Sequence, residues 1–296
     1  SSFGSGIRLG VCIVLARRSS AMAHLGGSGD QGGSEDFSFA ARYEPRSLLA
    51  DPLVRRRFFA DVLAWEGRFM RPGVGVSEGG FTFDGAHIGE DSQLTPRTHS
   101  NPSKESLHLA LLSLAASGDG LARQLFSREE ALRQLEAKAA ALEAQREAAP
   151  QLHGFMPWFD AQAGGIALEP EVAVRYNGML AWALYFAERA LEDVGETSLA
   201  QRFGEHLREM QKWAVSLSYK GAGKIAARIT MRPREDTPVQ SEHNCDDPFA
   251  GELFSFFLDL LADWEGRSAS ERDEIWADAG RRRWLATAVL DLRAEG

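Results

Sequence analysis

Hydrophobic positions recur at three- and four-residue spacing along most of the chain, which predicts helices rather than strands. Asp51-Pro52 sets an N-cap before a proline at the first helical position and opens a helix to about Trp65. Asn101-Pro102 repeats that signal ahead of Leu107, Leu111 and Leu114, which keep helical spacing. Ser127 and Glu130 read as a capping box for a long Ala-, Glu- and Leu-rich helix ending near Ala149-Pro150. A helix over residues 177–193 carries Leu180, Leu184, Ala187 and Leu191 and stops at Gly195. Ser198 and Gln201 cap the next, which runs to about Ser218. Asp247-Pro248 opens another that reaches Trp264, and Ser268 with Glu271 opens a last stretch broken at Gly280.

Two segments depart from this period. Residues 81–85 (FTFDG) alternate and end in a turn dipeptide, and residues 219–231 place a Gly-rich turn before a strand-like run. The expectation is an all-α protein of antiparallel helix pairs, with long inter-helix loops and small β excursions. Loops of that length usually carry function. The absence of a fixed-period repeat argues against a solenoid. Residues 26–34 (GGSGDQGGS) read as a linker, so residues 1–35 are expected to be a tail and 36–296 the folded part. Residues 9–16 (LGVCIVLA) are too short to span a bilayer, which takes about 20. With Ala21-Met22-Ala23 they could form a secretory leader, although Arg17 and Arg18 count against one, so localisation stays open.

Charge narrows the chemistry. With 33 Lys and Arg against 42 Asp and Glu, the net charge is −9. That argues against a nucleic-acid groove, which runs on clustered cations. The triplets 55–57 and 281–283 are basic but have acidic neighbours and read as solvated helix faces. The two cysteines, Cys12 and Cys245, make no disulfide framework, and His243 with Cys245 lacks the further ligands of a zinc site. Lys220-Gly221-Ala222-Gly223-Lys224 misses the spacing of a phosphate loop.

The residues that remain suit sugar chemistry. Glu252 lies two positions past the one a capping box would use, on the edge of an apolar stripe of Phe249, Leu253, Phe256, Phe257 and Leu260. A carboxyl among rings loses hydration, and burial raises its pKa as a general acid requires. Residues 154–160 (GFMPWFD) set Trp158 and Phe159 beside Asp160, rings for sugar C–H faces and a carboxylate for hydroxyls. A turn plugging the core explains the same segment equally well. Asn177 is either a polar group facing a ligand or an N-cap, with Tyr176 before it. Lys104 and Glu105 lie in the first turn of a helix, where capping and the helix dipole account for them.

In order along the chain, FTFDG (81–85), SKESLHLALL (103–112), GFMPWF (154–159), Asn177-Gly178 and DPFAGELF (247–254) resemble the fungal-type endo-β-1,2-glucanases, relatives of the glycoamylase-like domains of cyclic β-1,2-glucan synthases. The resemblance implies an (α/α)6 toroid and cofactor-free, inverting hydrolysis of β-1,2-glucan to short sophorooligosaccharides. It matches Glu252 to the general acid. It puts Trp158, Phe159, Asp160, Asn177 and the neighbouring Tyr176, Lys104 and Glu105 along the sugar cleft. Tyr176 stands where the family usually has Asp, and Met179 where it has Gln or Glu. The general base of the family falls past Gly296, so the toroid is expected to be incomplete and the chain a weakly active fragment. Two other functions stay open, a non-catalytic carbohydrate-binding or interaction scaffold and a β-1,2-glucan transglycosylase.

Overall fold

The computed structural model describes residues 42–67, 69–88, 94–167, 171–231, 238–245 and 250–277. Helices dominate these segments. α1 (Pro45–Ala50) and α2 (Pro52–Glu66) precede α3 (Pro102–Ser117), the short α4 (Ala122–Leu125) and α5 (Arg128–Ala148). α6 (Val174–Asp193) and α7 (Thr197–Ser218) form the next pair, followed by α8 (Ala250–Leu260) and the short α9 (Ala269–Asp273). The strands are small. β1 (Gly85–Ile88) pairs with β2 (Leu94–Arg97), and β4 (Phe159–Asp160) lies between β3 (His99–Ser100) and β5 (Ile166–Ala167). β6 (Glu171–Ala173) leads into α6. β7 (Tyr219–Gly221) pairs with β8 (Lys224–Ile225), and β9 (Arg228–Thr230) lies between β6 and β10 (Val239–Gln240).

α6 is the hub. It packs against α3, α7 and α8, while α3 also packs against α5. Leu180, Leu184, Ala187 and Leu191 are buried, so the apolar stripe read from its sequence is the one that packs. Around it lie Leu109, Leu112, Phe203, Leu207, Met210, Phe254 and Phe257, each worth about 1.5–3 kcal/mol when fully removed from water. The approach of α8 requires a glycine: a Cβ on Gly178 would lie 2.8 Å from the Cα of Phe254.

The proline-marked helix starts are where the sequence puts them. Asp51 accepts from the Leu53 amide at 2.8 Å and Asn101 from the Ser103 amide at 3.0 Å. Ser268 and Glu271 make both arms of a capping box. At Ser127 only one arm forms, because the Glu130 carboxylate turns to Arg133 and Gln134. Four expectations need correction. α6 begins at Val174, since β6 hands the chain straight to it, and Asn177 is therefore inside the helix rather than at its cap. α7 begins at Thr197, ahead of Ser198. α8 ends at Leu260, and Trp264 instead donates its indole N–H back to the Leu258 carbonyl at 2.8 Å. The strand expected at residues 81–85 starts only at Gly85.

Two apolar stripes are also rotated. α3 buries Glu105, His108, Leu109 and Leu112, while Leu107 is 46% exposed. α8 buries Gly251, Glu252, Phe254, Ser255, Phe257 and Leu258, and Leu260 is 58% exposed. In both helices small or polar residues occupy the inner face, which hides it from a hydrophobicity pattern. The tail at 1–35, Phe249, the Asp247-Pro248 cap, Gly280 and the basic triplet 281–283 lie outside the described residues. Among the described residues no helix is long and apolar enough to cross a membrane.

The polar inner face of α3 holds a buried ion pair, Glu105 with Lys138 of α5, each about 1% exposed. Glu105 also accepts from the Thr82 amide (2.9 Å), the Thr82 hydroxyl (2.7 Å) and the Ser100 hydroxyl (2.9 Å). Breaking such a pair leaves a charge in the core. Lys138→Ala is expected to lower the unfolding free energy in urea by about 3–5 kcal/mol; a loss under 1 kcal/mol would show the pair to be dispensable.

Candidate active site

Glu252 stands in the first turn of α8, and its side chain is buried, 8% exposed. Its Oε2 has no hydrogen-bond partner among the described residues. Buried polar atoms are nearly always paired, so one left open asks for a ligand or a chemical role. The helix that carries it is fixed twice by α6. Gly178 admits Phe254, and the Trp182 indole N–H donates to the Leu253 carbonyl at 2.9 Å.

One residue before Gly178, Asn177 joins this helix to the aromatic turn. Its Oδ1 accepts from the Met156 amide at 2.8 Å, and its Nδ2 donates to the carbonyls of Met156 (2.9 Å) and Ala173 (3.0 Å). At the start of the same turn Gly154 takes φ +81°, and its carbonyl pairs with His206 Nε2 at 2.8 Å. Trp158 comes out of this turn half-buried, with its ring 5.7 Å from that of His99. β3 and β4 bring these two together, since His99 pairs with Asp160 and Ser100 with Phe159.

Asp84 is the charged centre of the neighbouring rim. Lys104 Nζ lies 2.9 Å from Oδ1; His99 Nε2 (3.2 Å) and Arg97 (3.5 Å) share Oδ2. Partial burial pushes the Asp84 carboxyl up, but the hydrogen bond and charge of Lys104, with His99 and Arg97, outweigh it and hold it below its ordinary value. One train of contacts thus links the five sequence motifs. It runs Lys104–Asp84, Thr82–Glu105, Phe81–Phe159 (4.8 Å between rings), Met156–Asn177 and Gly178–Phe254, ending two residues from Glu252.

Not every predicted contact can reach a sugar. Phe159 is fully buried against Phe81, Glu105 is spent on its core network, and Asn177 is fully buried with its amide used on backbone. All three hold the site rather than line it. Asp160 is partly open, but its Oδ1 accepts from the Gln162 (2.9 Å) and Ala163 (3.1 Å) amides and closes a turn. Tyr176 is half-buried, with its hydroxyl accepting from Arg175 at 2.9 Å. Trp158 and Lys104 keep exposed groups, and Glu252 keeps a buried oxygen without a partner among the described residues. His99, as a lone histidine, carries no spacing signal in the sequence; its place two residues before Asn101-Pro102 is the one cue. Two cavities of about 640 and 310 Å³ lie elsewhere, around Arg71 and Arg133 and around Trp213 and Arg267.

Paired helices with few short strands agree with the α/α toroid fold of glycoside hydrolase-like domains, and similarity to solved structures carries that assignment. The family model described as endo-beta-1,2-glucanase SGL matches residues 81–289, and the chain belongs to that family. Among solved structures, the chain resembles the endo-beta-1,2-glucanase of Talaromyces funiculosus in complex with sophorose, with 25% identity and a TM-score of 0.73. It resembles equally a glutamate-to-glutamine mutant of that enzyme in complex with beta-1,2-glucan, with 25% identity and a TM-score of 0.72. Each alignment covers 83% of this chain and 53% of the other, so the chain spans about half the length of the glucanase it matches. No curated protein matches it.

The joint at Asn177 and the latch at His206 are both testable. Asn177→Ala leaves the Met156 amide and carbonyl buried and unpaired, and is expected to cost about 1–3 kcal/mol in denaturant unfolding; no loss would place the joint elsewhere. Burial drives the His206 imidazole from 6.5 down to about 4, against the opposing bond to Gly154. Because the folded value is depressed, this stability is complete above about pH 6.5 and is lost as pH falls toward about 4. The melting temperature is expected to drop across that interval, and less steeply in His206→Gln; equal slopes would contradict the assignment.

Proposed function

We propose that this chain acts on β-1,2-glucan as an endo-glucanase, with Glu252 as the general acid that protonates the departing glycosidic oxygen. The observation that carries this reading is the buried Glu252 carboxyl with Oε2 unpaired among the described residues, on a helix fixed by the joint that also holds the aromatic turn. A proton donor must reach a glycosidic oxygen while being shielded from bulk water; a carboxyl spent on a protein partner fails the first requirement and a solvent-facing one the second. The family membership and the glucan and sophorose complexes of the Talaromyces enzyme support the substrate class. Trp158 supplies a ring for sugar C–H faces, and Lys104 a donor for hydroxyls.

Inversion completes the proposal. In that mechanism water attacks from the face opposite the acid, activated by a second group across the bond. The reading assigns the acid step to the domain expected over residues 36–296, and it needs no cofactor.

Reducing-end release from linear β-1,2-glucan tests the acid. The chain is expected to generate new reducing ends slowly, and Glu252→Gln to slow their appearance by about a further 10²–10⁴-fold. Glucan binding without cleavage by the unmutated chain would replace the hydrolase with a carbohydrate-binding scaffold, and larger cyclic products would replace it with a transglycosylase. The anomer first released, read by NMR, tests inversion separately.

A further inference from the structure

Asp84 collects more basic side chains than its fold requires. Lys104, His99 and Arg97 all converge on it, yet their side chains remain 35%, 31% and 42% exposed. Partly exposed pairs add about 0–1 kcal/mol each, so stability is a poor reason for a three-way cluster on the rim. The loop beneath is already tied by backbone: the Asp84 amide donates to the carbonyls of His99 (2.7 Å) and Arg97 (3.1 Å). Lys104 spends further donor capacity on the Asp84 carbonyl at 3.2 Å. What the cluster does achieve is to hold one ionised carboxylate in a set orientation, 15% exposed, with cationic donors on either side.

The ring of Trp158 lies 5.7 Å from that of His99, tilted by 36°, and His99 in turn reaches Asp84 at 3.2 Å. A flat ring next to a fixed carboxylate and an ammonium is the chemistry that recognises a hexopyranose. The C–H face packs on the ring, one hydroxyl donates to the carboxylate, and its neighbour accepts from the cation. An anion would meet Asp84 itself, and an apolar ligand would strand the charges of Asp84, Lys104 and Arg97, so neither suits this rim.

We infer that Asp84, His99 and Trp158, with Lys104, form a subsite for one glucosyl ring of the β-1,2-glucan chain, away from the bond that Glu252 protonates. The inference rests on the glucanase reading above and adds Asp84 and His99 to it. The contacts that lead from the turn of Trp158 to the helix of Glu252 run through Met156, Asn177, Gly178 and Phe254. The subsite therefore sets affinity and the register of the chain, and takes no part in proton transfer.

The test uses the full chain carrying Glu252→Gln, which leaves ligand uncleaved, titrated calorimetrically with β-1,2-linked glucooligosaccharides of increasing length. Asp84→Asn and His99→Ala, each added to that background, are expected to weaken binding about tenfold, the loss of a charge-assisted hydrogen bond or a ring contact. His99→Phe, which keeps a ring beside Trp158, is expected to lose less than His99→Ala. His99 is open enough for its truncation to spare the fold, which keeps the test decisive even where Asp84→Asn disturbs its loop. Unchanged affinity in folded His99→Ala overturns the subsite and leaves the glucanase reading standing. Absence of binding by the Glu252→Gln chain itself overturns that reading, and the subsite with it.

Discussion

The amide of Asn177 is the joint on which the site depends. A buried side-chain amide that meets both the N–H and the C=O of one residue, here Met156, substitutes for a strand partner and fixes the turn in register as well as in distance. The next residue, Gly178, has no side chain and so lets Phe254 and the helix of Glu252 come within contact. Two adjacent positions on α6 therefore set the aromatic turn and Glu252 relative to one another. A larger residue at 178 would push the helix of Glu252 out, and an apolar one at 177 would free the turn.

Beneath that joint the domain is held by polar groups in places where hydrophobic packing alone would be easier. Glu105 and Lys138 are both buried, yet the carboxylate takes three further donors from Thr82 and Ser100. An ion pair in a core adds little net stability over apolar packing, because desolvation offsets its attraction. What it adds here is geometry: α3, α5 and the segments at 82 and 100 can meet in one arrangement only. That arrangement delivers His99 and Lys104 to Asp84 and sets Phe81 against Phe159, directly behind Trp158.

Much of this was legible in the residues and some was not. Helix starts marked by a proline and a short polar cap were readable because the cap uses local atoms, as at Asp51 and Asn101. The starts of α6 and α7 were not, since β6 and Glu196 precede them without a side-chain cap. The resemblance named five segments, and the structure brings them together. It could not separate residues that face a ligand from those that hold the frame, because both kinds persist in a motif. Phe159, Glu105 and Asn177 hold the frame; Trp158, Lys104 and Glu252 retain free surface or an unpaired atom. Lys220, which looked like a fragment of a phosphate loop, instead pins the carbonyls of Ser241 and Glu242.

The most direct test of the account is a crystal structure of the chain carrying Glu252→Gln with a β-1,2-linked glucooligosaccharide bound. The account predicts the side chain at position 252 within hydrogen-bond reach, about 2.6–3.2 Å, of a glycosidic oxygen, with a sugar ring against Trp158. A well-ordered oligosaccharide bound with every glycosidic oxygen remote from position 252 would contradict it.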